Sequence, residues 1–507
     1  MKIRSKVMTA VLSAALVAGS FAGVTGLNKD SADALGKNEN AYHKKPKNVI
    51  VMVGDGMGLG QIEVARMMEY GKEGTLNMEK LENVALMRTY SANNFVTDSA
   101  AAGTAIATGT KTNNESIGVD ADGNEVDSIL DLFKANGKKV GVISTNTVTD
   151  ATPAAFTASV ANRWSGQEEI ARQMLANEYD VLLGGGANYF SPRKQEGVDL
   201  VQEYEQKGYT IATDRDELMQ AGTPDKLLGL FNSSYMNYKL DKDEMNSNEP
   251  TLNEMTDKAL DVLSQDKDGF FLMVEGARID HAAHAADMAG VWKETIEFDN
   301  TVKDVVNWAK QRKDTLVVVL ADHETMGISA VEPMNIEALK EIEVSPEYMA
   351  AQLVEDDATG AFTEESVKEI FAEYANISLT NEQVAKFNEN VKDSDGKVYA
   401  AYRVGWEIGS VIADHYEAGV VDREVREQSS TGGHTGNMVP VFATGAGSLI
   451  FEGVLDNTEI AQLIADAARL KAGKEEKAGK KVSAGFELEN LKEVFGMTDN
   501  AAAELSN

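Results

Sequence analysis

Cysteine is absent from this 507-residue chain, and with it go disulfides, thiolate nucleophiles and thiolate metal ligands. Any metal must be held by oxygen or imidazole, and imidazole is itself scarce, with six histidines in all. Positive charge is also in short supply: 48 lysines and arginines face 81 aspartates and glutamates, a net charge of −33. A field of that sign repels nucleic acid and anionic lipid, so neither nucleic-acid binding nor stable membrane association is expected. An anionic substrate would need locally concentrated positive charge, for which bound metal ions are the obvious source. Long apolar runs are confined to the beginning. Lys2, Arg4 and Lys6 precede an apolar run at 7–24 and an Ala32-Asp33-Ala34 cleavage site, the layout of a secretory signal peptide over residues 1–34. A membrane anchor is the rival reading, but Ser13, Gly19, Ser20 and Gly23 dilute the run. Export to the periplasm or the cell exterior is the expectation.

What the chain does have is short β-branched runs separated by longer amphipathic stretches. The runs fall at 48–53, 139–144, 179–183, 269–274, 315–320 and 439–443. Continuous apolar strands alternating with helical patterns predict an α/β fold, a large and mostly parallel central sheet with helices on both faces. The expected division is an N-terminal linker at 35–47, a catalytic α/β domain over 48–330 and 431–472, an acidic, mainly helical insertion at 331–430, and a charged linker and tail at 473–507.

In open parallel sheets, sites form beyond the carboxyl ends of the strands. The run at 48–53 leads into Gly54-Asp55-Gly56-Met57-Gly58, the run at 269–274 into Glu275-Gly276-Ala277-Arg278-Ile279-Asp280, and the run at 315–320 into Ala321-Asp322-His323-Glu324-Thr325. All three end in acids. Asp55, between glycines, either projects into the crevice or caps the next helix. Asp280 and His284, at i and i+4, share one helix face and can bind a cation such as zinc or simply pair with each other. Asp322 and His323 converge only if the chain turns there. His434 lies in the glycine-rich Thr431-Gly432-Gly433-His434-Thr435-Gly436, with little core to satisfy, whereas His43 and His415 read as surface or packing residues. Ser99, within Thr97-Asp98-Ser99-Ala100, sits at a helix start, where free N–H groups suit an anion and where an ordinary N-cap serine is the competing reading. No histidine is near Ser99 in sequence, which points to metal coordination as the means of activating its hydroxyl. Arg163, after the amphipathic stretch 154–162, is a candidate bidentate clamp or a plain surface arginine.

These motifs, together with Asp150-Ala151-Thr152-Pro153 and in this order, resemble those of the alkaline phosphatases over most of the mature chain. The resemblance implies an enzyme that hydrolyses small phosphate monoesters through a phosphoserine at Ser99, with two zinc ions and one magnesium per subunit. It implies one zinc on Asp280, His284 and His434, a second on Asp55, Asp322 and His323, and magnesium on Asp55, Thr152 and Glu275. Arg163 would bind two phosphate oxygens, while Asp150 and His281 would lie near the magnesium and the substrate. Family members differ at these last two positions, so the third metal's identity stays open. A homodimer is also implied, and the insertion falls where the family carries a variable segment that builds the dimer interface or shapes the mouth of the site. A sulfatase is excluded, because Ala101 and Gly103 stand where its Pro and Arg would follow the modified residue. A phosphodiesterase and a non-catalytic binder of phosphate or metal remain as alternatives.

Overall fold

All six apolar runs become strands of one ten-stranded sheet in the computed structural model, which describes residues 44–356 and 359–470. The expected signal peptide at 1–34 and tail at 473–507 lie outside the described residues. The strands are β1 (Asn48–Gly54), β2 (Asn83–Arg88), β3 (Lys139–Thr147), β4 (Val181–Gly185), β5 (Thr210–Ala212), β6 (Leu227–Leu230), β7 (Phe270–Gly276) and β8 (Thr315–Ala321). They continue with the short β9 (Glu324–Thr325), β10 (Glu355–Asp356), β11 (Ala361–Phe362) and β12 (His434–Thr435), then β13 (Val439–Gly445) and β14 (Gly453–Asp456). The sheet order is β14-β2-β13-β8-β1-β7-β3-β4-β6-β5. Pairing is parallel throughout except on the two sides of β13, so β13 alone runs against the rest.

The centre of the sheet is apolar on both faces because helices cover both. Every residue of β1, β7 and β8 is buried, which explains why these strands read as continuous rather than alternating runs. β2 alternates instead: Ala85 and Met87 point inward while Val84 and Leu86 are exposed, so its sequence carries no clean period and predicts no strand. The long helix Met288–Arg312, N-capped by Asp287, packs along β8 and against the helix Leu59–Tyr70. Between 331 and 430 the chain is mostly helical, at Ile336–Lys340, Pro346–Ala351, Glu364–Ala375, Asn381–Asn390, Ala401–His415 and Arg423–Gln428. Local chemistry sets these starts: Ser345 caps a helix with Pro346 in its first turn, and Thr380 forms a capping box with Gln383. No described helix is long and apolar enough to cross a membrane.

Candidate active site

β7, β1 and β8 lie side by side, with Val53 opposite Glu275 and Gly54 opposite Ala321. Their carboxyl ends deliver Asp55, Glu275 and Asp322 to one rim, all three buried. Because β13 runs the other way, its leading residues reach that same rim, which is why His434 precedes its strand while the acids follow theirs. The small β9–β12 pair, Thr325 opposite His434, holds the two loops together. Gly56 has φ +66, and a Cβ there would meet Asp280 Oδ1 at 2.6 Å, so a side chain could not pass this carboxylate. The helix Arg278–His284 after β7 carries Asp280 and His284 one turn apart, as their spacing predicts.

Each clustered histidine has its Nδ1 engaged. His284 Nδ1 is 2.8 Å from the Gly432 carbonyl and His434 Nδ1 is 3.0 Å from the Thr97 carbonyl. A carbonyl only accepts, so both Nδ1 atoms are donors. Burial, with His323 alongside, holds His434 well below the usual imidazole range, which leaves its Nε2 bare. The Nε2 atoms of His284 and His434 face each other at 3.2 Å, and Asp280 Oδ2 lies 3.2 Å from the former. His323 is fixed by a different route: Thr325 Oγ1 gives its one proton to Asp280 Oδ1 at 2.5 Å and so accepts from His323 Nδ1 at 3.2 Å. His323 Nε2 then stands amid Ser99 Oγ at 3.1 Å, Asp55 Oδ1 at 3.2 Å and Asp322 Oδ2 at 3.4 Å.

Asp55 Oδ1, Asp322 Oδ2 and Glu275 Oε1 are buried without a hydrogen bond. Burial and the charges of Asp322 and Asp280 drive Asp55 well above the carboxylate range, and burial pushes Glu275 up to about 8. Thr152 Oγ1 reaches Asp55 Oδ2 at 3.5 Å, and Ser144 Oγ donates to Glu275 Oε2. Donor atoms of Asp55, Asp322 and His323 fall within 4.8 Å of one another, as do those of Asp280, His323 and His434. Carboxylates crowded together in a buried site repel one another, and cations are the groups that relieve this; imidazole with carboxylate suits zinc, and an all-oxygen set suits magnesium.

Ser99 opens the helix Ser99–Thr108, but the cap is Asp98, whose Oδ1 accepts the Ala101 N–H at 3.0 Å. That frees Ser99 Oγ to face His323. Asp98 Oδ2 accepts the Glu115 N–H at 2.9 Å and lies 3.5 Å from Arg163 Nη1, while Asp150 takes Nη2 at 3.1 and 3.3 Å. Arg163 is therefore buried and braced rather than a surface residue. The stretch before it is helical only as far as Ala155, because Val160 pairs its backbone with Ile117 instead. Glu115, at φ +72, accepts the Arg163 N–H at 2.8 Å. Ser99, Arg163, Asp280, His281, His284 and His434 border one cavity of about 560 Å³.

The alkaline phosphatase family model matches residues 46–470. The chain belongs to the alkaline phosphatase family. It is thereby a phosphoric monoester hydrolase with the family's metal-dependent chemistry. Alkaline phosphatase 4 of Bacillus subtilis is 35% identical over 489 residues, covering 93% of this chain and 98% of that relative. Among solved structures, the alkaline phosphatase of Thermus thermophilus aligns with a TM-score of 0.75 at 28% identity, over 89% of this chain and 96% of that one. A mutant of the enzyme from the Antarctic bacterium TAB5, solved with Mg bound in its M3 site, aligns with a TM-score of 0.61 at 30% identity, over 85% of this chain and 99% of that one.

Five contributors to the site carry no signal in the sequence. Thr325 lay in a motif but carried no role, and Ser144 looked like ordinary strand. Glu115 had no marker at all. Trp406, from the helix Ala401–His415, stacks on His284 with ring centroids 5.1 Å apart, and Arg426 Nη1 donates to the His284 carbonyl at 3.1 Å. Tyr402, Trp406 and Glu347 line the cavity, so the segment 331–430 shapes the mouth of the site. His415 packs edge-on against Tyr416, away from the site, and His43 lies outside the described residues.

Proposed function

We propose that the chain is an exported alkaline phosphatase that converts phosphate monoesters to alcohol and inorganic phosphate through a phosphoserine at Ser99. The observation that carries this reading is the set of converging imidazole Nε2 atoms and orphaned carboxylate oxygens around Ser99 Oγ, opening on a cavity that Arg163 also borders. Asp280, His284 and His434 would hold one zinc, and Asp55, Asp322 and His323 a second. Asp55, Thr152 and Glu275 would hold magnesium, with Asp150 and His281 beside it; magnesium is the ion seen in the TAB5 mutant. When bound, these ions neutralise charge on the reacting oxygens and ease ionisation of the attacking hydroxyl and water.

Arg163 binds two phosphate oxygens, its guanidinium held by Asp98 and Asp150. Ser99 Oγ attacks phosphorus in line, the ester P–O bond breaks, and the departing oxygen ends with the proton that Ser99 gave up. Water then attacks the phosphoserine from the vacated side, giving hydrogen phosphate and returning a proton to Ser99. Ser99→Ala should reduce turnover by at least about a thousandfold while phosphate still binds. Undiminished turnover in that variant would sink the assignment. The Ser99 Oγ to His323 Nε2 contact at 3.1 Å supports a second reading, in which the imidazole takes the serine proton directly. Hydrolysis surviving full chelation would favour that reading over the first.

Export after cleavage near Ala34 is proposed from the signal-like start; N-terminal sequencing of the protein from the culture supernatant or periplasm tests it. The proposed division keeps the catalytic domain at 48–330 and 431–472 with the insertion at 331–430. A homodimer is supported by Val84, Leu86 and Val454, exposed apolar residues on the neighbouring strands β2 and β14, where Val454 pairs with Leu86. Light scattering on wild type and Val84→Glu tests it, and a wild-type monomer would overturn it.

A further inference from the structure

Arg278 stands three residues before His281 and is buried, at 2% exposure. Its flat face rests on Tyr238, 3.6 Å from guanidinium carbon to ring centroid. Nη2 donates to Glu347 Oε2 at 3.0 Å, and Glu347 belongs to the helix Pro346–Ala351. Nη1 lies 2.6 Å from His281 Nδ1.

Arginine offers donors only, so His281 Nδ1 must be the acceptor and cannot carry a proton. The ring proton is then on Nε2. This reverses the pattern of His284, His323 and His434, whose Nδ1 atoms donate. Among the described residues, Nε2 of His281 has no hydrogen-bond partner, and the ring borders the same cavity as Ser99 and Arg163. Tyr235 packs edge-on against it at 4.9 Å, which resists a ring flip.

We propose that Arg278, braced by Glu347 and Tyr238, is a positioning residue that fixes His281 as an Nε2–H donor to an oxyanion in the cavity. One wall of the site thus takes its polarity from a carboxylate on the segment 331–430. Four histidines share a rim, and three are held by Nδ1 with Nε2 turned to the cluster, while the fourth is held the other way round. The kinetic arm of the test rests on the phosphatase reading above, and the spectroscopic arm does not.

Histidine-selective 15N labelling of the holoenzyme reads the tautomer, with His281→Gln identifying the signals. Wild type should show His281 protonated at Nε2 and bare at Nδ1, with the signal moving when inorganic phosphate is added. Arg278→Met should release the ring to sample both tautomers, and Arg278→Lys should restore the wild-type pattern. Glu347→Gln alters a partly exposed group and should give a partial shift, which keeps the test open if Arg278→Met misfolds. Arg278→Met should lower kcat/KM about tenfold, mainly through KM, with Arg278→Lys recovering most of it. A proton on Nδ1 in wild type, or an unchanged tautomer in both Arg278→Met and Glu347→Gln, would overturn the proposal whatever the activity. The expected tautomer shifts in a protein without monoester hydrolysis would support the positioning role and sink the phosphatase reading instead.

Discussion

Two sets of groups flank Ser99, and they differ in how far their charges are met within the chain. On the arginine side, both Nη atoms of Arg163 are matched to carboxylates, Asp98 and Asp150, only its Nε is left without a partner, and Glu115 ties down the backbone. On the imidazole side, Asp55, Asp322 and Glu275 each keep a buried oxygen without a partner, and two histidine nitrogens confront each other at 3.2 Å. Both sides are buried, so solvent does not account for the contrast. The arginine side is organised by the fold alone, whereas the imidazole side is organised by the fold for something the fold does not contain. Only the second should depend on what is added to the buffer.

Chelation is the most direct way to break the comparison. Activity should fall to background and thermal stability should drop, since ions that bind only the native state stabilise it, and both should return with zinc and magnesium. If stability is unchanged, the orphaned oxygens are not metal ligands. The arginine side is probed by Arg163→Lys, which keeps the charge but loses the planar fork; kcat/KM should fall about a hundredfold, with metal content measured by elemental analysis unaffected. Loss of metal in that variant would erase the distinction between the two sides.

Thr325→Val is a finer probe, because it removes the acceptor that orients His323 and a donor to Asp280 without replacing a proposed ligand. Metal affinity in competition with a chelator should weaken by about tenfold or more, while phosphate affinity at saturating metal changes little. The smallest effect is expected outside the site, at Asp287. Its Oδ1 caps the helix Met288–Arg312 through the Gly290 N–H, its Oδ2 has no partner, and burial pushes the group up to about 7. A carboxyl with a raised folded pKa gives stability that is whole below about pH 4 and is lost as the pH climbs through about 7. Asp287→Asn cannot ionise, so its melting temperature should exceed wild type by ~2 °C at pH 8.5, with the gap closing near pH 4. An equal gap at both pH values would trace the effect to packing rather than charge.

The parts of the site written in the sequence are those with a local signature. Asp280 and His284 needed only helical spacing, and Asp55, Glu275 and Asp322 needed only strands that end in acids. His434 was legible as a histidine among glycines, though not the reason it comes before its strand, since the reversal of β13 is a property of the assembled sheet. Thr325, Glu115 and Trp406 were illegible because each works through one proton, one backbone carbonyl or one ring face set by long-range packing. In the same way β2 escaped notice because its outward residues Val84 and Leu86 are apolar. The rival reading of Ser99 as a helix cap fell to its neighbour Asp98, which no single-sequence rule ranks above it.

The pairing of Thr325 with His434 has a consequence for how this molecule can change. Residues 326–433 depart from and return to nearly one point, the geometry a module seated in a socket of the rim would have. The entropy of closing such a loop rises only logarithmically with its length, so lengthening, trimming or exchanging the module costs the host sheet little. It is not a silent cargo, because Glu347, Trp406 and Arg426 reach back to Arg278 and His284. A graft at this socket would therefore retune which molecules enter and how His281 and His284 are held, and Ser99 with the acids that end β1, β7 and β8 would be inherited unaltered.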